Sequence, residues 1–257
     1  MVKEKKIIVA DFKPEITFTP LNICETLVDM ISDEQLISAK NILNICSGSG
    51  IISTVVVDRM ITLGMSAQEA VNKLFLVDND ESIMKFSLNL FKIKYGYTPK
   101  YKVTDALEWN FNNMKFDYII GNPPYDRYGV VEKTNPYYSA NAHMAFQWRC
   151  SELLVKNGKM IFIVPTNFLM LKTGKTFRNT MYKNGRYSKF FITDKNPWEG
   201  GTGGGAPGKI SIIEFTKTYD DINVSMDVCM RNNTFSTSFN QKNNIELFGE
   251  IVYPILL

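Results

Sequence analysis

Short apolar runs alternate with longer helix-like segments along most of this chain, and that alternation limits its fold more than any other feature. Runs of strand length lie at Asn41 to Cys46, Leu74 to Val77, Tyr101 to Thr104, Phe116 to Gly121 and Met160 to Val164. Between them the pattern predicts helices. Leu21 to Ile31 is preceded by Thr19 as N-cap and Pro20 as first helical residue. A segment through Met60 resumes after Gly64 and Ser66 as Ala67 to Lys73, and Asp80 caps a helix reaching Tyr95. Ala142 to Lys156 ends at Asn157-Gly158, and Lys175 to Lys183 completes the set. Strands separated by helices pair in parallel, because each crossover returns the chain to the same end of the sheet. Phe190 to Thr193 and Ile210 to Phe215 are joined by Asn196 to Lys209, which carries many glycines and no helix signal. Those two strands are therefore expected to be antiparallel neighbours. The expected class is α/β: a mostly parallel sheet with one antiparallel strand near its edge and helices on both faces. After Thr216 the pattern weakens, and Arg231 to Asn244, rich in Asn and Ser, reads as loop. Residues 1–216 form the expected main domain and 217–257 a small C-terminal appendage.

Composition narrows the function classes. No apolar run reaches the length that spans a membrane, and the charged start, Met1-Val2-Lys3-Glu4-Lys5-Lys6, does not read as a signal peptide. The four cysteines (Cys24, Cys46, Cys150, Cys229) are far apart, with no Cys-x-x-Cys pair, so a disulfide framework and structural zinc are not expected and the cytoplasm is the expected location. Net charge is only +3, yet Lys172, Lys175, Arg178, Lys183, Arg186, Lys189 and Lys195 crowd a stretch whose sole acid is Asp194. That stretch reads equally as a phosphate-facing surface or as a solvated helix face. Gly203 to Lys209 has phosphate-loop spacing, but Ile210 stands where a Ser or Thr is needed and a strand follows. His143, the only histidine, starts a helix with no nucleophile motif beside it.

In open parallel sheets ligands bind beyond the carboxyl ends of the strands. The first strand here runs into Asn44-Ile45-Cys46-Ser47-Gly48-Ser49-Gly50, whose glycines permit close backbone approach or simply a tight turn. The second ends in Asp78, suited to ribose hydroxyls or to helix capping; the third ends in Asp105, suited to an adenine amine or to capping. The fourth runs into Asn122-Pro123-Pro124-Tyr125. An amide oxygen accepts from an exocyclic amine, Pro123 offers only a carbonyl in a preset direction, Pro124 keeps Pro123 extended, and Tyr125 gives a stacking face.

Taken in order, these strand ends resemble the class I S-adenosylmethionine-dependent methyltransferases, and more narrowly the gamma-class enzymes acting on adenine N6 in DNA. Asn44 to Gly50, including Cys46, Gly48 and Gly50, resembles that family's cofactor loop, Asp-Pro-x-x-Gly-x-Gly. Asp78 corresponds to its ribose-binding acid and Asp105 to the acid facing the cofactor adenine. Thr17-Phe18-Thr19-Pro20 resembles its N-terminal Thr-Pro segment, which helps hold the methionine end. Asn122 to Tyr125 corresponds to its catalytic motif residue by residue. The resemblance covers Phe18 to Thr216 and departs at Asn44, where the family has an acid. It implies S-adenosylmethionine as cofactor, no metal, and double-stranded DNA as partner. The target adenine is flipped out against Tyr125, with Trp198 as an opposing wall or else a core or loop-plug residue; from the charge pattern, Lys172, Lys175 and Arg178 are the candidate phosphate contacts. A specificity or partner subunit is a further expected partner, because only 217–257 remain for target recognition. Two alternatives stay open: transfer to another planar amine, in an RNA base or a protein glutamine, and a non-catalytic nucleic-acid-binding subunit.

Overall fold

The structure is a computed structural model that describes residues 18–125, 141–166, 169, 175–193, 210–230 and 233–240. In chain order its elements are α1 (Leu21–Asp29), α2 (Asp33–Ser38), β1 (Ile42–Ile45), α3 (Ile51–Thr62), α4 (Ala67–Asn72), β2 (Leu74–Asp78), α5 (Glu81–Tyr95), β3 (Lys100–Val103) and β4 (Phe116–Gly121). They continue as α6 (Ala142–Leu153), β5 (Leu154–Pro165), α7 (Lys175–Asn184), β6 (Arg186–Thr193), β7 (Ile210–Thr216), β8 (Asn223–Met230) and β9 (Asn233–Asn240). All described strands join one sheet in the order β3-β2-β1-β4-β5-β7-β6-β8-β9.

The centre of the sheet follows from side chains that are apolar on both faces. All four residues of β1 are buried; Leu43 and Ile45 enter one core cluster and Ile42 the other. A strand covered on both sides needs helices on both sides, and parallel crossovers supply them. β1 pairs in parallel with β2 and with β4, and β4 with β5. From β1 the chain steps outward through β2 to β3, then returns past β1 to β4. The order therefore reverses between β1 and β4, which opens a crevice at their carboxyl ends. β7 inserts between β5 and β6 and runs antiparallel to both, as the lack of a helix signal in the sequence of Asn196 to Lys209 predicts.

Three local expectations change. Pro20 occupies the N-cap position of α1, with no side-chain cap, instead of Thr19, whose hydroxyl is used elsewhere. α6 stops at Leu153, and Asn157-Gly158 falls inside β5. The left-handed Asn157 (φ 63°) serves a bulge there, not a helix end: its N–H donates to the Lys217 carbonyl, and the Lys217 N–H donates to the Gly158 carbonyl. The run read as loop contains β9, antiparallel to β8, which in turn runs parallel to β6. β8 alternates buried Val224, Met226 and Val228 with exposed Ser225 and Asp227. Residues 234–238 of β9 are all exposed, so backbone pairing and not apolar burial defines that strand. β8 and β9 thus extend the main sheet.

One close approach sets the geometry at the crevice. Gly121 pairs with Ile45 across the β4–β1 ladder, and a Cβ on Gly121 would lie 2.4 Å from the Ile45 carbonyl oxygen. Gly121→Ala is expected to cost about 1–3 kcal/mol, the usual range for forcing volume into a packed site, read as a lowered denaturant midpoint with unchanged slope.

Candidate active site

The parallel register brings the strand ends together. Ile45 pairs with both Val77 and Gly121, and Asp78 pairs with Val103. The residues just past this line, Cys46, Asp78, Asp105 and Asn122, therefore occupy one edge of the sheet. Neighbouring strands lie ~4.8 Å apart, so the backbone at Asn122 and at Asp78, two strands over, is separated laterally by roughly 10 Å.

Between β1 and α3 the chain turns through Cys46 (φ 52°), Gly48 (φ 53°) and Gly50 (φ 77°), all left-handed. Asp78 clamps this turn. Its Oδ2 accepts the Gly48 N–H at 2.7 Å and its Oδ1 accepts the Asp80 N–H at 3.0 Å. Burial raises the Asp78 carboxyl above its usual pKa, against the pull of those two N–H groups. At Gly50 a Cβ would strike Ser87 Oγ, so α5 can pack on the start of α3 only against a glycine. At Gly48 a Cβ would meet nothing within 4 Å, which leaves room for a ligand over the turn. Asn44 is fully buried; its Nδ2 donates to Ser53 Oγ at 2.8 Å, while its Oδ1 has no partner among the described residues. Ser47 Oγ and Ser87 Oγ are likewise buried and unpartnered among the described residues. Unsatisfied buried acceptors around a roomy glycine turn suit a ligand bearing donors. The Cys46 thiol is pushed well above its ordinary pKa by burial, then by Asp78, Cys150 and Asp105, and stays neutral. Asp105 accepts the Leu107 N–H at 2.9 Å, which shapes the turn beyond β3. Asp80 caps α5 by accepting the Ser82 and Ile83 N–H groups.

Asn122 is held at both ends of its amide. Nδ2 donates to Thr19 Oγ1 at 3.1 Å, and Oδ1 accepts from the Tyr125 hydroxyl at 2.7 Å. Pro123 is buried and Pro124 exposed. Burial raises the Tyr125 phenol well above its usual pKa, so it remains a donor at neutral pH. Its ring meets the His143 imidazole edge-on, with centroids 6.4 Å apart and planes at 88°. His143 is 1% exposed; its Nδ1 lies 3.3 Å from Gln147 Nε2, and Gln147 Oε1 accepts from the Tyr187 hydroxyl at 2.9 Å. Sequence reasoning assigned no role at this site to His143, Gln147 or Tyr187. The one available signal was the i,i+4 spacing of His143 and Gln147 on a helix, which faces them toward each other.

The basic stretch does not form a single solvated face. Lys175 is exposed at the start of α7, but Arg178 on the same helix is only 7% exposed, and burial lowers its guanidinium pKa. Arg178 is a core residue, not a surface cation for phosphate, because the buried face of α7 that carries Phe177 and Met181 carries it too. Arg186 is equally buried and donates to the Tyr182, Gly185 and Tyr219 carbonyls. Lys172 and Trp198 lie outside the described residues, as does Gly203 to Lys209. Among the described residues no group of three or more His, Cys, Asp or Glu is placed to hold a metal, and no helix is long and apolar enough to cross a membrane.

Comparison with known proteins bears on the family and the fold. A profile of the Eco57I restriction-modification methylase family matches residues 68–197. A tRNA1(Val) (adenine(37)-N6)-methyltransferase of Vibrio vulnificus strain CMCP6 is 31% identical over 132 residues, 49% of this chain and 51% of that protein. Its counterpart in Glaesserella parasuis serovar 5 is 23% identical over 221 residues, 84% and 83% of the two chains. The matched region thus spans about half the length of the Vibrio relative. Among solved structures, a Listeria monocytogenes protein assigned to the class I S-adenosylmethionine-dependent methyltransferases superposes with a TM-score of 0.66 at 17% identity, over 87% of this chain and 68% of that one. The methyltransferase subunit of a Streptococcus thermophilus type I restriction-modification system gives 0.66 at 14% identity, over 92% and 52%. The fold is that of class I S-adenosylmethionine-dependent methyltransferases.

His143 gives the site a pH signature. Burial lowers its pKa to about 4 from an ordinary 6.5. The unfolded chain therefore binds a proton between those values that the folded chain refuses. This contribution to stability is complete above pH 6.5 and is lost as pH falls toward 4, amounting to about 3 kcal/mol. Denaturant midpoints measured from pH 7 to pH 4 should fall less steeply in His143→Gln than in the parent chain.

Proposed function

The chain belongs to the Eco57I restriction-modification methylase family, and on that premise we propose that it transfers a methyl group from S-adenosylmethionine to the exocyclic N6 amine of adenine in DNA. The observation that carries this reading is the pinned amide of Asn122 one residue past β4, on the same sheet edge as the Asp78-clamped glycine turn.

The residues of the turn fit the cofactor. Asp78 offers paired carboxylate acceptors to a ribose, and the open side of Gly48 admits a ligand near the backbone. The free acceptor of Asn44 suits an ammonium group, as a neutral dipole where the resembled family has an acid. When bound, the cofactor supplies an electrophilic methyl on a sulfonium. On the substrate side, Asn122 Oδ1 and the Pro123 carbonyl accept the two amine hydrogens, which turns the nitrogen lone pair out of the base ring and toward the turn. Those two oxygens would stabilise the positive charge that develops on the amine nitrogen as it takes the methyl group, and the surplus proton would leave from that nitrogen to water. Tyr125 holds the flipped base by its ring face, with the His143 ring edge-on against it. Target selection falls to the β8–β9 extension, to residues 126–140, or to a specificity subunit.

A second reading keeps the chemistry and changes the polymer. The Vibrio and Glaesserella relatives are named for adenine N6 in a tRNA, and the same amide grips an adenine amine from RNA as well as from DNA. Labelled-methyl transfer to duplex DNA and to tRNA separates the two.

Asn122→Ala is expected to retain cofactor binding and lose transfer by on the order of a hundredfold or more; unchanged turnover rejects the mechanism. Asp78→Asn is expected to weaken cofactor binding roughly tenfold or more, the worth of a hydrogen bond to a charged group, read by calorimetry without any nucleic acid.

A further inference from the structure

The mounting of the catalytic amide is not explained by the proline pair. Pro123 and Pro124 fix the backbone after Asn122, but the terminal torsion of an asparagine is broad and two-fold, so backbone rigidity leaves the amide plane undetermined. Two hydroxyls fix it here, from Thr19 and from Tyr125. They are not equivalent. The Tyr125 hydroxyl rests on Oδ1, the atom that an incoming amine must use, and the Tyr125 ring has its own task of stacking. The Thr19 contact is made to Nδ2, away from the reacting amine, and can persist when substrate enters.

Thr19 is itself well anchored, although it lies 103 residues from Asn122 in sequence. Pro20 holds φ at −59°, and its carbonyl accepts the Ile23 and Cys24 N–H groups. The Cys24 thiol donates to the Thr19 carbonyl at 3.8 Å. α1, which follows, buries Ile23, Cys24, Leu27 and Val28. A hydroxyl on a segment docked in this way can orient a distant side chain to the tolerance that chemistry demands.

We propose that Thr19 is a positioning residue for the reaction: its hydroxyl sets the plane of the Asn122 amide and so links the segment ahead of β1 to the catalytic end of β4. The inference rests on the methyl-transfer reading above, and its test separates the two. Thr19→Val removes the hydroxyl at nearly constant volume, and Thr19→Ser keeps it. Three quantities are measured on the full chain: S-adenosylmethionine affinity by calorimetry, single-turnover methyl transfer at saturating cofactor, and hydrogen exchange of the Asn122 side-chain amide, assigned by its absence in Asn122→Ala. Thr19→Val is expected to slow transfer about tenfold at saturating cofactor, where any change in cofactor affinity no longer counts, and to speed exchange of the Asn122 amide protons. Thr19→Ser is expected to restore both transfer and exchange protection. Normal transfer in Thr19→Val overturns the proposal, as does a loss that saturating cofactor fully corrects with Asn122 exchange unmoved. Should Asn122→Ala transfer at the parent rate, the methyl-transfer reading fails instead, while the exchange comparison still decides whether Thr19 holds the amide.

Discussion

The close pairing of Gly121 with Ile45, which leaves no room for a side chain on Gly121, positions the strand ends that form the site. It holds β4 against β1 at the point where the strand order reverses, and β1 in turn holds β2. Registers in a buried parallel sheet are firmly specified, since a one-residue slip would turn Leu43 and Ile45 out of one core and into the other. With the register fixed, Asn122 must emerge beside Cys46 and the Gly48 turn. Asp78 then completes the edge by joining β2 to that turn through the Gly48 N–H. Two backbone ladders and one carboxylate thus gather Cys46, Gly48, Asp78 and Asn122, which are far apart in sequence.

Burial governs the electrostatics of this edge. His143, Cys46 and Tyr125 are all held in their neutral forms by desolvation, and Asp78 is shifted toward its neutral form. A site walled by neutral groups strengthens each remaining dipole, so the carbonyl of Asn122 counts for more here than in water. Asn44 fits the same pattern. A carboxylate at a fully buried position beside Ser53 would need desolvation, whereas the amide satisfies Ser53 and still leaves one acceptor.

Much of this was legible in the sequence because the signals were local and redundant. Strand–helix alternation placed β1 through β5, and the missing helix signal in Asn196 to Lys209 predicted the antiparallel pairing of β6 with β7. Asp80 read as the cap of α5, which it is. The failures share a cause: one turn signal serves more than one structure. Asn157-Gly158 stops helices but here bulges a strand, because Lys217 supplies its backbone partners from across the sheet. β9 was invisible because an exposed edge strand needs no apolar alternation. At the site, sequence named the residues at the strand ends and could not name what holds them. The Thr19–Asn122 bond and the Tyr125–His143–Gln147–Tyr187 series join segments that only the folded chain brings together. Arg178 looked like a surface cation for the same reason: charge in a run does not reveal which helix face is buried.

The central claim is that an asparagine amide at the end of β4 grips the exocyclic amine of an adenine. The most direct measurement is mass spectrometry of nucleosides from the DNA and RNA of cells that express the chain, compared with cells that express Asn122→Ala. The account predicts new N6-methyladenine in DNA, absent with the variant. Methylation at a ring carbon or ring nitrogen, or N6-methyladenine at equal levels in both cell lines, would contradict it.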